Sequence, residues 1–265
     1  MTGARRTILS IAAMLFANCV SMANAGELKI NSAANLATPG VDIQVINGAV
    51  ADPKQWPATF VFRTDEGGCT ATAIGSQVLL TAAHCVGNGQ KGTIVAGTTT
   101  ASVVCTHHSD YPARISADFA LCHVDGALKK PDLGFETLSM DAAIPAKSDT
   151  VVLLGYGCRA KEGTDRQFGM LFQGDATVNQ RPSAEDWYVH TTGAAVCYGD
   201  SGGGAFTKSG VGRRVFGVNS RGDIDKNSWL SSTAVTSFRD WASNWAKVNK
   251  VEICGLGANA ATCRQ

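Results

Sequence analysis

The chain has 265 residues, 45% of them hydrophobic, and its 23 Lys and Arg against 22 Asp and Glu leave a net charge of +1. That balance offers no long-range field for nucleic acid or an anionic membrane surface. The length suffices for one large or two smaller cores. At the N-terminus, Arg5 and Arg6 precede an apolar run over 8–16, and Ala23-Asn24-Ala25 forms a small-x-small site. These are the parts of an export signal over 1–25, cleaved after Ala25. The run is too short to cross a bilayer and no second stretch of about 18 apolar residues follows, so stable membrane insertion is not expected. A lipid anchor at Cys19 is disfavoured by the large polar Asn18 before it. Residues 26–44, rich in Asn, Ala, Ser and Gly, read as a flexible peptide.

Beyond it, short apolar runs recur between clusters of Gly, Asp, Asn and Ser, at 57–63, 70–74, 77–81, 93–96, 101–105, 119–124, 150–155, 169–178, 186–191, 214–219 and 230–235. This spacing predicts strands of an all-β sandwich or of barrels. Around 138–148, Asp141, Pro145, Lys147 and Ser148 mark a linker. Near the end Phe238, Trp241, Trp245 and Val248 recur at helical spacing, which predicts a C-terminal helix docked through that stripe.

Three segments carry chemistry. Thr-Ala-Ala-His-Cys at 81–85 places His84 at the end of an apolar run, with small neighbours that leave room beside the ring. Asp-Phe-Ala-Leu at 118–121 places Asp118 at the opening of another. Cys-Tyr-Gly-Asp-Ser-Gly-Gly-Gly at 197–204 surrounds Ser201 with glycines, so a tight turn can expose the hydroxyl and aim the N–H groups of Gly199 and Ser201 into one space. A serine hydroxyl needs an adjacent base to act as a nucleophile, and N–H donors aimed at a developing oxyanion are a large catalytic contribution. Each segment also has a plain reading: a core histidine, a turn-capping aspartate, a Gly/Ser turn. The order His84, Asp118, Ser201 is one of the orders in which catalytic triads occur, whereas lipases and esterases place the nucleophile first.

With Val-Ile-Asn-Gly at 45–48 added to these three motifs, the sequence resembles the chymotrypsin/trypsin family of serine endopeptidases, in its secreted bacterial form, from Val45 to about Val248. The resemblance implies two six-stranded antiparallel β-barrels with a C-terminal α-helix. The protease domain would span 45–250, with barrels over about 45–140 and 149–235, a helix over 236–249 and a tail over 251–265. It implies His84 as general base, Asp118 as its orienter, Ser201 as nucleophile, and Gly199 and Ser201 as oxyanion-hole donors. It makes 26–44 a propeptide, removed by an activating protease to free an amine on Val45 that pairs with Asp200. Gln44 departs from the basic residue a trypsin-like activator would need.

Loss of the signal leaves eight cysteines in an oxidising compartment, an even number suited to disulfides. The resemblance supports Cys69–Cys85, Cys105–Cys122 and Cys254–Cys263. Cys158 and Cys197 remain; their pairing would depart from the family, where the cysteine before the nucleophile joins one on a later loop.

For the substrate pocket, the resemblance points to Ala195, Val196, Ser220, Arg221, Gly222 and Leu230. Ala195 stands where trypsin-like members carry an acidic residue and cannot pair with Arg or Lys. A shallow apolar pocket is expected, with Leu230 filling its depth and Arg221 favouring an acidic residue at a neighbouring subsite. His107, His108, His123 and Asp110 could gather round an ion, but adjacent histidines on a strand point to opposite faces. No metal or cofactor is expected. The expectation is a secreted or periplasmic monomer that hydrolyses peptides or proteins through a His-Asp-Ser triad, with no nucleic-acid partner; the alternative is a catalytically weak or inactive protease-fold binding protein.

Overall fold

Phe60 and Phe62 are buried while Val61 is half-buried and Arg63 exposed, and this period of two turns one face of a strand inward. The computed structural model describes residues 45–65, 67–139, 144–158, 169–207, 212–257 and 261–264. The expected export signal and residues 26–44 lie outside these. After a short strand β1 (Ala49–Val50), six strands follow: β2 (Thr59–Thr64), β3 (Gly67–Gly75), β4 (Val78–Thr81), β5 (Lys91–Ala96), β6 (Thr99–His107) and β7 (Ala120–Val124). They close as an antiparallel barrel in the order β2-β3-β4-β7-β6-β5.

Six more strands form a second barrel: β8 (Thr150–Gly155), β9 (Phe172–Gln180), β10 (Tyr188–Gly193), β11 (Gly204–Thr207), β12 (Val215–Gly222) and β13 (Asn227–Ser232). Their order is β8-β9-β10-β13-β12-β11, closing from β11 back to β8, with β1 added beside β9. Among the described residues there is one α-helix, α1 (Thr236–Asn249), which follows the second barrel. Closure leaves neither barrel an open edge.

The helix docks through Phe238, Ala242 and Trp245, and Phe238 lies against Phe119 at 4.6 Å between ring centroids. Val248, expected in that stripe, is 71% exposed. One turn beyond Trp245 the helix has passed the barrel, and Lys250 caps it in the left-handed conformation. The eight cysteines among the described residues form four disulfides, Cys69–Cys85, Cys105–Cys122, Cys158–Cys197 and Cys254–Cys263. No helix among the described residues is long and apolar enough to cross a membrane.

Candidate active site

β4 is fully buried and pairs with β7, Thr81 opposite Ala120. The chain leaves β4 through Ala82 into a single 3-10 turn (Ala83–Cys85) that carries His84. Asp118 enters β7 two residues before Ala120, so register alone brings it beside this turn. Its Oδ1 accepts the His84 backbone N–H at 2.9 Å, and its Oδ2 lies 2.6 Å from His84 Nδ1. The carboxylate thus fixes both the turn and the ring. Asp118 is fully buried while His84 is exposed.

A third contact comes from the other barrel. Ser220, on β12, donates its hydroxyl to Asp118 Oδ2 at 2.5 Å, and Tyr188 lies 3.2 Å from the same hydroxyl while donating to Ile115 O at 2.8 Å. Burial pushes the Asp118 carboxyl up, but the bond and charge of His84, the Ser220 hydroxyl and the His84 N–H outweigh it and hold the group below its usual range. Ser220 was expected only as a strand residue beside the substrate; its tie to Asp118 carries no signal in the sequence.

The Ser201 loop is bound to the first barrel through Thr70, another residue that sequence did not single out. Thr70 N–H donates to Ser201 O at 2.8 Å and its hydroxyl to Gly199 O at 2.8 Å, while Thr81 donates its hydroxyl to Thr70 O at 2.8 Å. At Gly202 (φ +83°) an added Cβ would stand 2.0 Å from Thr81 Oγ1, so only glycine allows this approach. Within the loop the N–H groups of Asp200, Gly202 and Gly203 donate to Cys197, Asn219 and Asp200 carbonyls. Those of Gly199 (φ +97°) and Ser201 are left without a backbone partner among the described residues. Two unpaired donors flanking one hydroxyl can receive an oxyanion.

Asp200 is 1% exposed; its Oδ1 accepts from Gly157 N–H at 2.7 Å and its Oδ2 from Cys197 N–H at 2.8 Å. No cation reaches it among the described residues. Burial therefore dominates over the two N–H bonds and pushes its carboxyl up to about 7. Val45 and Ile46 are buried in the second barrel, where Ala195 N–H donates to Ile46 O at 3.0 Å.

Of the expected pocket residues, Val196 and Gly222 meet between the loop before Ser201 and the end of β12, Ala195 packs with Ile46 and the Cys158–Cys197 bridge, and the Ser220 hydroxyl is taken by Asp118. Leu230 does not line an opening: opposite Asn219 on β13, it is fully buried in the core cluster that also holds Val196. The β13 residue opposite Gly222 is Ser228, whose hydroxyl accepts from Val196 N–H at 3.0 Å. The register shifts by one residue between Asn219 and Arg221, which sets Ser228 opposite Gly222. Arg221 is exposed, 5.9 Å above the Tyr188 ring, and lines a cleft of about 660 Å³ with Ile115, Glu185, Asp186 and Trp229.

His107 and His108 are occupied by Val86 O and by Asp110 N–H with Ser237. Among the described residues the one group of three possible metal ligands is Cys69, His84 and Cys85, whose sulfurs are bonded to each other.

The family model described as Trypsin matches residues 45–242. No curated relative matches the sequence. Among solved structures, the atomic-resolution structure of HBP shares 19% identity at a TM-score of 0.62, covering 76% of this chain and 96% of that one. Human heparin binding protein shares 18% at 0.59, covering 74% and 94%. At these identities the likeness is one of fold.

Proposed function

The chain belongs to the trypsin family, and we propose that it is a serine endopeptidase, not specific for Arg or Lys, working through His84, Asp118 and Ser201. The observation that carries this reading is the arrangement around Asp118: a buried carboxylate that takes His84 by both backbone and ring. Such a carboxylate leaves the far ring nitrogen as an acceptor. Ser201 Oγ attacks the peptide carbonyl as its proton passes to His84, and the oxyanion is received by Gly199 and Ser201 N–H. Collapse transfers the proton from His84 to the leaving amine and leaves an acyl-serine. Water, deprotonated by His84, then releases the acid and restores Ser201. Ala195, fully buried and uncharged, offers nothing to a substrate guanidinium or ammonium.

The same reading covers processing. Residues 1–25 are an export signal, 26–44 a propeptide, 45–250 the protease domain and 251–265 its tail, and the protein acts in the periplasm or outside the cell. The buried Val45 and Ile46 and the unpaired, buried Asp200 support an amine, freed by cleavage before Val45, that moves to Asp200. An unpaired carboxylate in that place is costly, and a cation relieves it.

One observation favours a second reading, a protease-fold binding protein: Val196 fills the space beside Gly222. The neighbour named for binding heparin is compatible with such a role, although a net charge of +1 gives little attraction to a polyanion. A fluorophosphonate, which reacts with activated serines, separates the two. Labelling of Ser201 in the processed protein, abolished in His84→Ala, supports the enzyme; no labelling at any pH from 6 to 9 refutes it.

A further inference from the structure

The residue on the acyl side of the scissile bond is attached directly to the carbonyl that Ser201 attacks. On the peptidase reading its side chain takes the pocket expected from the sequence, between the segment running from Ala195 into the Ser201 loop and the end of β12 at Ser220–Gly222. That space is filled from one side. A Cβ placed on Gly222 would stand 2.8 Å from Val196 Cγ2 and 2.6 Å from Val196 O. Two carbons cannot approach so closely, so the segments already touch across the slot.

Val196 cannot withdraw. Its N–H is held by Ser228 Oγ at 3.0 Å, and Ser228 is fully buried opposite Gly222. Behind it Leu230 and Ala194 belong to the same buried cluster. The next residue, Cys197, is tied through its N–H to Asp200. The Ser201 loop that follows is held in turn by Thr70, whose hydroxyl donates to Gly199 O at 2.8 Å.

The far end is closed as well. The turn between β12 and β13 is short, and Asp223 Oδ1 locks it by accepting the N–H groups of Asp225, Lys226 and Asn227 at 3.0, 2.9 and 2.8 Å. Asn47 Nδ2 clasps it from outside at Asp225 O, 3.3 Å. Ile224, half-buried at its tip, packs on Ile46, Ala195 and the Cys158–Cys197 bridge. Its φ of +56° is rare for a β-branched residue, and the packing holds it there.

We infer that the enzyme cleaves after glycine or alanine and that Val196 is the residue that imposes this limit. The inference rests on the peptidase reading above and deepens it. With so little to grip beside the scissile bond, affinity comes from upstream side chains, for which the 660 Å³ cleft lined by Ile115, Tyr188, Arg221 and Trp229 adjoins the same strand.

The test is a set of fluorogenic peptides identical except for the residue before the scissile bond: Gly, Ala, Val, Leu, Phe and Lys. A single methylene in a tight pocket changes kcat/KM by about 10–200-fold. Alanine is therefore expected to exceed leucine, phenylalanine and lysine by at least about a hundredfold. In Val196→Gly the Phe/Ala ratio of kcat/KM should rise at least about tenfold; Val196→Ala, the milder change, should raise the Leu/Ala ratio if the glycine variant does not fold. Fluorophosphonate labelling reports separately whether Ser201 is reactive in each protein. Labelled native protein that cleaves after leucine, phenylalanine or lysine as readily as after alanine overturns the inference and leaves the peptidase reading standing. So does a labelled Val196→Gly with an unmoved ratio. Failure of every protein to label or cleave overturns the peptidase reading, and this inference with it.

Discussion

Burial and hydrogen bonding pull the Asp118 carboxyl in opposite directions, and the second prevails because three hydrogen bonds and the charge of His84 act on one side chain. The residues of such a site act as a unit, so removing one removes most of the rate. Ser201→Ala and His84→Ala should each lower kcat by about 10⁴–10⁶, with circular dichroism unchanged. Asp118→Asn should cost about 10⁴ through the wrong histidine tautomer; a loss below tenfold in purified protein would separate Asp118 from the chemistry. Asp200 shows the reverse balance, since its two N–H bonds do not offset burial, and its carboxyl stands at about 7 against a usual 3.8. In the unprocessed chain the folded form therefore keeps its proton to higher pH than the unfolded form does. Stability from this group is fully present below about 4 and declines as pH rises towards 7, by at most about 1.4 kcal/mol per unit. Urea midpoints of the unprocessed chain should fall over that range. In Asp200→Asn the fall should be smaller, and equal slopes would show that Asp200 is not the group responsible.

At the level of elements, short apolar runs between turn residues made nearly all of both barrels legible, whether a strand alternates, as β9 does, or is buried throughout, as β4 is. The exceptions have physical reasons. β11 (Gly204–Thr207) has four residues directly after a glycine run that reads as loop; it is a strand only because β8 and β12 flank it. Val248 has helical spacing but no surface to meet. In the candidate site the His84, Asp118 and Ser201 segments announce themselves by their small neighbours and glycines. Thr70 and Ser220, whose hydroxyls bond across the barrels, and Ser228, whose hydroxyl bonds within the second, do not, because each looks like any strand Ser or Thr. The pairing of Cys158 with Cys197 was legible by remainder, and its position explains its use. Cys158 N–H donates to Tyr198 O at 2.9 Å, and Gly157 and Cys197 supply the two N–H bonds to Asp200. The bridge thus braces the loop that presents Gly199 and Ser201. With a sequence separation of 39, chain entropy alone suggests a contribution of about 4 kcal/mol. Replacing both cysteines by alanine should lower Tm and lower kcat more than it raises KM. A variant with a reduced Tm but undiminished kcat would show that the bridge holds the fold and not the loop.

On the scale of the whole molecule, a site divided between two barrels is only as firm as their junction, and a buried ion pair stands at that junction. Glu136, fully buried on the segment leaving the first barrel, donates its backbone N–H to Ala73 O at 3.0 Å on β3. Its carboxylate meets the Arg213 guanidinium just before β12 of the second barrel, through Oε1 to Nη2 and through Oε2 to Nε at 3.1 Å. Arg213 also lies 3.5 Å over the Trp56 ring and donates to Gln55 O at 2.6 Å, and Arg264 of the tail stands 4.0 Å from the same carboxylate. Burial lowers the Arg213 pKa, opposed by the bond and charge of Glu136. Removing the carboxylate strands a buried guanidinium, a loss that typically costs about 3–5 kcal/mol. Glu136→Gln keeps the shape and removes the charge, so it isolates this effect from packing. We expect its urea midpoint to fall while activity at low denaturant persists, since neither Glu136 nor Arg213 touches His84, Asp118 or Ser201. If the pair couples the barrels, the variant should also lose activity at lower urea than it loses tryptophan fluorescence, as the junction yields before the barrels do. Coincident loss of both signals at the native midpoint would mean that the barrels are held together by their apolar contact alone.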